Sequence, residues 1–415
     1  MLRFLLLKSF RKRKFVSVLT VLSISLSLAL FLTVDKIREG IETSFTNSIS
    51  NADLIVGARS GPLQLLLYSI FHLGSPTNNI TIESYDKFRN HPAVKWTIPI
   101  SLGDSYRQFR VVATNQSFFD HYQFHGDKKI TFSKGHSNQD VFDVVLGKGV
   151  ANKLSHQIGD EVILSHGVMN KNLLSHEKLP FKVVGILNAT GTPVDNTVII
   201  NLQGMEAIHV GWENGYPMKN SQKINYKEFE LRTSQITSFI LRSKSRIALL
   251  SLQRQIADHK NEALSAIIPA LTLGQLWSLL DKVELSLLIV SFFVVLVGFI
   301  SLLIVLYMSV NERTKEMKIL RSIGASAKDI FLLLMVETLL LTFLGVFFGI
   351  LFHYFMLLSC RSLVMDMYGI FLNISYPQRN EMLVMLMFIF FGGIFGVVPA
   401  LKAYSATSKL RSIFK

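Results

Sequence analysis

The sequence predicts an α-helical membrane protein with four transmembrane helices and a mixed α+β extracytoplasmic domain between the first and second helices. Its 415 residues are 49% hydrophobic and only 17% charged, a composition between that of a soluble enzyme and that of a fully embedded carrier. Four long apolar runs are separated by charged segments, and short β-like segments fill the long interval after the first run. A single soluble core rarely exceeds roughly 250–300 residues, so we expect at least two structural parts.

The first apolar run, Phe15–Val34, is about 20 residues long, which is the length needed to cross a hydrocarbon layer roughly 30 Å thick. A cleaved signal peptide is the alternative. However, the run is longer than the usual signal core of about 7–15 residues. It is also followed by Asp35-Lys36-Ile37-Arg38 without a small-x-small cleavage site. The pattern therefore favours an uncleaved membrane anchor.

The remaining apolar runs are Leu285–Met308, Ile330–Met356 and Met382–Leu401. Basic residues gather beside the runs, with six in 1–14, five in 311–329 and four in 402–415. Cytoplasmic loops are enriched in Lys and Arg, so both termini and the 310–329 loop are predicted to be cytoplasmic. This placement explains the net charge of +14 without nucleic-acid binding, which we do not expect.

The predicted organisation follows from these runs. It comprises a cytoplasmic basic segment 1–14, transmembrane helix 15–34, an extracytoplasmic domain with helical stalks 35–284, transmembrane helix 285–309, a cytoplasmic loop 310–329, transmembrane helix 330–356, an extracytoplasmic loop 357–381, transmembrane helix 382–402 and a cytoplasmic tail 403–415.

Small residues within the apolar runs predict close contacts between helices. Gly345 with Gly349, and Gly392 with Gly396, have the GxxxG spacing that lets helix backbones approach closely, although glycine is also common in such helices without this role. Glu337 is the one acidic residue inside the third run. A proton relay would need a second ionisable group facing it. Only His353 offers one, more than four turns away, so we expect a structural pairing for Glu337.

The interval 35–284 changes from helical to β-like patterning. Apolar residues recur every four positions through Ile37, Ile41, Phe45 and Ile49, which predicts an amphipathic stalk, and Gly274–Glu284 has a similar pattern. The predicted helices between them are Thr81–Asn90 and Ser245–Leu264. The predicted strands are Phe109–Ala113, Asp143–Leu146, Glu161–Leu164, Phe181–Ile186 and Thr197–Ile200.

Sequence motifs for catalysis are absent. The chain contains no phosphate-binding G-x-x-x-x-G-K-[ST] loop, no H-E-x-x-H, no G-x-S-x-G and a single cysteine, Cys360, so we expect neither enzymatic activity nor a cofactor. Ten of the eleven histidines lie in 35–284. His121 and His125 have i, i+4 spacing, and His156, His166 and His176 recur every ten residues. We expect surface or hydrogen-bonded histidines and no metal site, and a metal or haem site is the alternative.

The loop at 311–326 reads N-E-R-T-K-E-M-K-I-L-R-S-I-G-A-S and resembles that of the MacB/FtsX-like permeases of ABC transporters, which include lipoprotein-releasing permeases. The family pattern is approximately E-R-x-x-E-[IM]-x-[IVL]-L-[RK]-[AS]-[ILM]-G-A, and every defined position matches. The resemblance implies that this element couples the permease to its ATPase. The matching residues are Glu312, Arg313, Glu316, Met317, Leu320, Arg321, Gly324 and Ala325.

The resemblance also implies partners and a location. It implies a separate cytoplasmic ABC ATPase that binds the ATP, a homodimer or heterodimer of permeases, a periplasmic partner protein, and contact with membrane lipid in the inner membrane. Such a machine would couple ATP hydrolysis to mechanical work outside the membrane for export or extraction of a substrate. The alternatives are a transmitter that activates a periplasmic enzyme, and a metal- or haem-linked transporter.

Overall fold

The computed structural model describes residues 14–48, 51–166, 179–210, 212–213, 216–217, 231–312, 319, 322, 324–368 and 374–409. These residues form two compact units. The helical unit draws on the described residues within 1–39, 281–361 and 372–415, and the domain unit on those within 40–280 and 362–371.

Among the α-helices of the described residues, four are much longer than the others. The α-helices are α1 (Lys14–Asn47), α2 (Pro62–Ile70), α3 (Ile82–Arg89), α4 (Gln116–His121), α5 (Lys148–Leu154), α6 (Leu202–His209), α7 (Arg246–Ala257), α8 (Pro269–Glu312), α9 (Ala327–Tyr368) and α10 (Arg379–Lys409).

Within the described residues, four helices are long and apolar enough to cross a membrane, and they contain Lys14–Thr46, Pro269–Met308, Ala327–Arg361 and Arg379–Ser405. In the chain, the mixed α/β domain lies between the first two of these helices. The predicted fold class is therefore confirmed, and the chain is a membrane protein.

The long helices extend beyond the apolar runs from which they were predicted. Helix α9 continues to Tyr368, so the first part of the predicted 357–381 loop is helical. Helix α8 continues to Glu312, within the predicted 310–329 loop. In the domain, the helix predicted over Ser245–Leu264 ends at Ala257, and Leu264 begins a strand. The continuous polar run Asp258–Glu262 after Ala257 is compatible both with a helix end and with an exposed turn of a continuing helix.

The helical unit has an apolar core to which all four long helices contribute, including Leu28, Phe299, Leu341 and Phe388. The glycines predicted to lie at helix contacts face neighbouring helices at close range. A Cβ atom at Gly345 would lie 2.7 Å from Ile24 of α1, and one at Gly349 would lie 3.0 Å from Leu28. Only glycine leaves room for these approaches between α9 and α1.

The same arrangement brings α10 against α9. A Cβ atom at Gly392 would lie 2.4 Å from Thr342 Oγ1, and one at Gly396 would lie 2.6 Å from Thr338 Cγ2. Both threonines are fully buried. The neighbouring Gly393 is different, because a Cβ atom there would make an ordinary contact, 3.6 Å from Leu339 Cδ2.

The domain unit contains a large mixed sheet and small two-stranded ribbons. The strands are β1 (Leu54–Ala58), β2 (Ile80–Thr81), β3 (Val94–Tyr106), β4 (Phe109–Thr114), β5 (Gln123–Phe124), β6 (Lys128–Lys129), β7 (Phe132–Gly135), β8 (Asp143–Leu146), β9 (Glu161–Val162), β10 (Ser165–His166), β11 (Phe181–Leu187), β12 (Thr197–Asn201), β13 (Trp212–Glu213), β14 (Tyr216–Pro217), β15 (Gln235–Ile236), β16 (Ser238–Ser243) and β17 (Leu264–Ile267).

The main sheet has the order β17-β1-β16-β3-β4-β12-β8-β11-β7, with β10 added to β3 and β9 added to β11. The pairs β4–β12 and β8–β11 are parallel, and the other pairs of this sheet are antiparallel. The parallel pairs require crossover connections; the connection from β8 to β11 contains α5, and the connection from β4 to β12 contains α4 and α5.

Both faces of the central strands are buried, which explains why they read as continuous apolar runs and not as alternating ones. In β12, Ile199 belongs to one apolar cluster, whereas Val198 and Ile200 belong to another on the opposite face. In β16, Ile240 shares the cluster of Ile199, and Phe239 packs into a third cluster. One cluster therefore underlies the whole length of the sheet.

The contrast between Gly392 and Gly393 provides a test of the helix packing. We expect Gly392→Ala to destabilise the helical unit by about 1–3 kcal/mol, since the added methyl group overlaps Thr342 in a packed core. Gly393→Ala adds the same atom at ordinary contact distance and should change stability by less than about 0.5 kcal/mol. Thermal unfolding of both variants in detergent measures the difference. Equal effects would contradict this packing.

Candidate functional site

The segment predicted to contact a partner ATPase lies between α8 and α9. Glu312 is the last residue of α8. Gly324 adopts a left-handed conformation with φ of +99°, which glycine accommodates without steric cost, and Ala325 follows it. The remaining predicted contact residues lie outside the described residues: Arg313, Glu316, Met317, Leu320 and Arg321.

The start of α9 is fixed by a capping box directly after Gly324. The Ser326 backbone N–H donates to Asp329 Oδ2 at 2.7 Å, and the Asp329 backbone N–H donates to Ser326 Oγ at 3.2 Å. Each side chain thus satisfies an N–H group that the first helical turn leaves open. The S-x-x-D spacing is a signal that sequence reasoning missed. The capping box sets where the segment between α8 and α9 ends and where α9 begins.

The end of α1 and the start of α8 meet at one aromatic group of the domain unit. We call this group, which consists of Phe45, Phe71 and Trp277, the stalk junction. The Phe45 ring of α1 stacks on Phe71 with centroids 4.2 Å apart, and it meets Trp277 of α8 edge-on at 6.0 Å. Phe45, Leu276 and Trp277 all pack against the cluster that underlies the sheet. Sequence periodicity predicted the apolar face that contains Phe45, but not its partners, because they lie far apart in the chain.

A hydrogen bond reinforces the stalk junction. The buried Tyr122 hydroxyl donates to the Ser48 carbonyl oxygen, just after the end of α1, at 3.1 Å. Burial raises the pKa of Tyr122, so its hydroxyl keeps its proton and remains a donor at physiological pH. The last residues of α1 are therefore tied to the domain by both packing and a directed hydrogen bond.

His72 follows Phe71 and is buried in the domain unit. It has a φ of +54°, and its Nδ1 lies 3.1 Å from Thr197 Oγ1 of β12. Burial, with a smaller contribution from the charge of Arg110, lowers the pKa of His72 from 6.5 to about 4. The imidazole is therefore neutral at physiological pH, which makes it part of the domain core.

The other histidines that the structure describes do not converge on a metal site. Helix α4 ends at His121, and His125 has a φ of +47°, so the predicted helical i, i+4 relation of this pair is wrong. His121 stacks on Trp96 at 5.2 Å. His156 Nδ1 lies 3.0 Å from Asp160 Oδ2. His176 lies outside the described residues. The described part of the chain holds no group of three or more His, Cys, Asp or Glu residues arranged for a metal ion.

Glu337 is buried within the helical unit, with 5% of its surface exposed, beside the fully buried Thr338. His353, the residue considered as a relay partner, has its Nδ1 3.0 Å from Thr33 Oγ1. The ring of His353 therefore connects α9 to α1.

Comparison with known protein families identifies two regions of similarity. The family model of the MacB-like periplasmic core domain matches residues 17–258, and that of the FtsX-like permease C-terminal region matches residues 288–408. Together they cover most of both units.

The individual proteins that match this chain have low sequence identity to it. The macrolide export ATP-binding/permease protein MacB of Campylobacter jejuni is 22% identical over 240 residues, which are 58% of this chain and 34% of that protein. An uncharacterized ABC transporter permease of Methanocaldococcus jannaschii is 28% identical over 186 residues, 42% of this chain and 43% of that protein. The chain thus spans less than half of the length of either relative in these matches.

Among solved structures, the periplasmic region of MacB from Actinobacillus actinomycetemcomitans is similar to this chain with a TM-score of 0.34 and 13% identity. The similarity covers 56% of this chain and 94% of that structure.

The low pKa of His72 predicts a pH dependence of stability. Between pH 6.5 and 4 the unfolded chain protonates His72 and the folded chain does not, so stability falls as the pH falls. The contribution of His72 to this loss is about 2 kcal/mol on going from pH 7 to 5. In His72→Gln the loss should be smaller by that amount, measured by unfolding in detergent at both pH values. The exposed His125→Gln serves as the control and should behave like the wild type.

The stalk junction predicts unequal effects for two neighbouring residues of α8. Trp277→Ala removes the contact with Phe45 and with the underlying cluster, and should lower stability by about 2 kcal/mol. Leu279 has 58% of its surface exposed, so Leu279→Ala should cost less than about 0.5 kcal/mol. Chemical unfolding followed by circular dichroism compares the two. A cost for Leu279→Ala equal to that for Trp277→Ala would refute the stalk junction.

Proposed function

Because the chain belongs to the MacB/FtsX-like permease family of ABC transporters, we propose that it is a permease subunit in which a partner ATPase drives mechanical work by the folded domain. ATP is bound and hydrolysed by the ATPase. Through this work, a substrate is exported or extracted on the side of the membrane where the domain lies.

One observation carries this proposal. Helices α1 and α8 each run without a break from an apolar membrane segment to the stalk junction, as Lys14–Asn47 and Pro269–Glu312. An unbroken helix is a stiff element, because each turn is hydrogen-bonded to the next. A displacement at the membrane end of either helix is therefore delivered to the base of the main sheet.

The segment between α8 and α9, here called the coupling segment, supports the proposed link to a partner ATPase. Its residues Glu312, Arg313, Glu316, Met317, Leu320 and Arg321 match the family pattern, and it precedes the capped start of α9. We propose that this segment sits in a groove of the ATPase and transmits its closure to α8 and α9. Burial of apolar residues such as Leu320 at the contact, surrounded by charged residues, would supply the affinity.

The proposed assembly has two permeases and two ATPases in the inner membrane, with both termini and the coupling segment in the cytoplasm. The basic residues beside the apolar runs support this orientation. The helical unit also has broad outer surfaces of exposed apolar side chains, including Phe293, Phe355 and Phe390, which suit lipid or a second permease.

The test of this function is a substitution in the coupling segment. We expect Glu316→Lys with Leu320→Asp to weaken binding of the cognate ATPase by about 2 kcal/mol or more, which is about thirtyfold in Kd. ATPase activity stimulated by the permease should fall in parallel. Co-purification and ATP turnover in lipid nanodiscs measure both quantities.

The matched control is Lys328→Glu, which reverses a charge in the first turn of α9, after the family pattern ends. It should bind and stimulate the ATPase like the wild type. If the double variant also binds and stimulates normally, the chain does not couple to an ATPase through this segment and the proposed function is wrong.

A further inference from the structure

A buried ion pair joins α1 to the start of α10. Lys36 lies two residues beyond the apolar run of the first helix, and Glu381 lies just before that of the last helix. The Lys36 Nζ atom is 3.6 Å from Glu381 Oε1, and the two side chains are only 5% and 8% exposed. Lys36 also donates to Glu39 Oε2 at 2.8 Å and to Ser375 Oγ at 3.4 Å.

Glu381 has a second task at the same place. Its Oε2 accepts a hydrogen bond of 2.9 Å from the backbone N–H of Gln378, immediately before α10 begins at Arg379. A carboxylate in the first turn also interacts favourably with the helix dipole. Glu381 therefore caps α10 with one oxygen while the other faces Lys36.

Further hydrogen bonds surround this ion pair. Gln378 Nε2 donates to Glu39 Oε1 at 2.8 Å, so α1 and the residues before α10 are linked twice. The Tyr354 hydroxyl of α9 donates to the Ser375 carbonyl oxygen at 3.0 Å. We call Lys36, Glu39, Ser375, Gln378 and Glu381 the ionic joint.

The ionic joint is specific to one register of α1. A buried ammonium group is costly without a partner, and a buried carboxylate is equally so. If α1 rotated or slid by one residue, Lys36 would keep Glu39, which lies on the same helix, but the buried Glu381 would lose Lys36 as its partner. Buried ion pairs of this kind contribute more to a unique arrangement than to net stability. The arrangement of α1 against α10 is therefore locked where α1 leaves the helical unit.

From this geometry we propose that Lys36 is a positioning residue that makes α1 move together with α9 and α10. The inference rests on the proposed function, in which α1 carries motion to the domain unit. Movement of α9 and α10 by the ATPase then displaces α1 through the ionic joint, and not through apolar contacts alone. Without the joint, ATP turnover continues but the motion does not reach the end of α1.

The first test uses the chain alone and needs no ATPase. Hydrogen exchange of residues 376–384 reports on the capped start of α10, where the Met382 backbone N–H donates to the Gln378 carbonyl oxygen at 2.9 Å. In Lys36→Met, exchange there should be at least about tenfold faster than in the wild type. Lys36→Arg, which keeps the charge, should restore protection. Arg379→Met removes an exposed charge from the same helix turn and should have no effect.

The second test measures transmission with the ATPase present. Cys360 is the single cysteine, so Cys360→Ser with Glu42→Cys leaves one site for a nitroxide label, on an exposed position of α1 beyond the ionic joint. The mobility of the label should change between the nucleotide-free state and the state trapped with ATP and vanadate. In Lys36→Met and Glu381→Gln this change should be lost, while ATP turnover stays within about twofold of the wild type.

The outcomes separate the two proposals. If the wild-type chain neither binds nor stimulates the ATPase, the proposed function fails, and the exchange experiment still decides whether the joint exists. If the ATPase is stimulated and Lys36→Met keeps the full label response, the positioning role of Lys36 is overturned. Unchanged exchange in Lys36→Met would overturn the joint itself. Loss of the response in Lys36→Met with rescue by Lys36→Arg supports the inference.

Discussion

Polar groups inside an apolar helical bundle must find partners within the protein, because neither lipid nor neighbouring apolar side chains can supply hydrogen bonds. This requirement shapes the helical unit. The Ser25 hydroxyl of α1 donates to the Gly345 carbonyl oxygen of α9 at 2.9 Å, and the Ser27 hydroxyl donates to the Val294 carbonyl oxygen of α8 at 3.2 Å. Glycine at position 345 allows the first approach, so small residues and polar contacts act at the same places. The result is a bundle whose helices have defined registers and not merely apolar surfaces in contact.

In the domain unit, the ends of two long helices are attached to a folded core. Its central strands are buried on both faces, and one apolar cluster extends from β1 to β12. Phe45 and Trp277 join that same cluster, so the helix ends are part of the core and not appended to it. A force applied to either helix is thus borne by the main sheet, whose strands are linked by many hydrogen bonds. The proposed mechanical role of the domain rests on this attachment.

The fold class and the family were predictable because they depend on local patterns. Apolar runs of membrane length, basic flanks and the 311–326 motif are each read from neighbouring residues. The limits of prediction lie where neighbours are ambiguous. Helix α9 extends beyond its apolar run to Tyr368, since a helix outside the apolar layer needs no apolar run. His121 and His125 have helical spacing, but α4 ends between them. Sequence spacing alone could not place that end.

The sequence by itself determined that this chain is a four-span membrane protein with a mixed α/β domain and the loop motif of an ABC transporter permease, because hydropathy and short motifs are local properties. Only the tertiary structure decided that Lys36 pairs with Glu381, and that Phe45, Phe71 and Trp277 meet. These residues are separated by up to hundreds of positions in the chain. Their proximity results from the packing of whole helices and sheets, which no local pattern encodes.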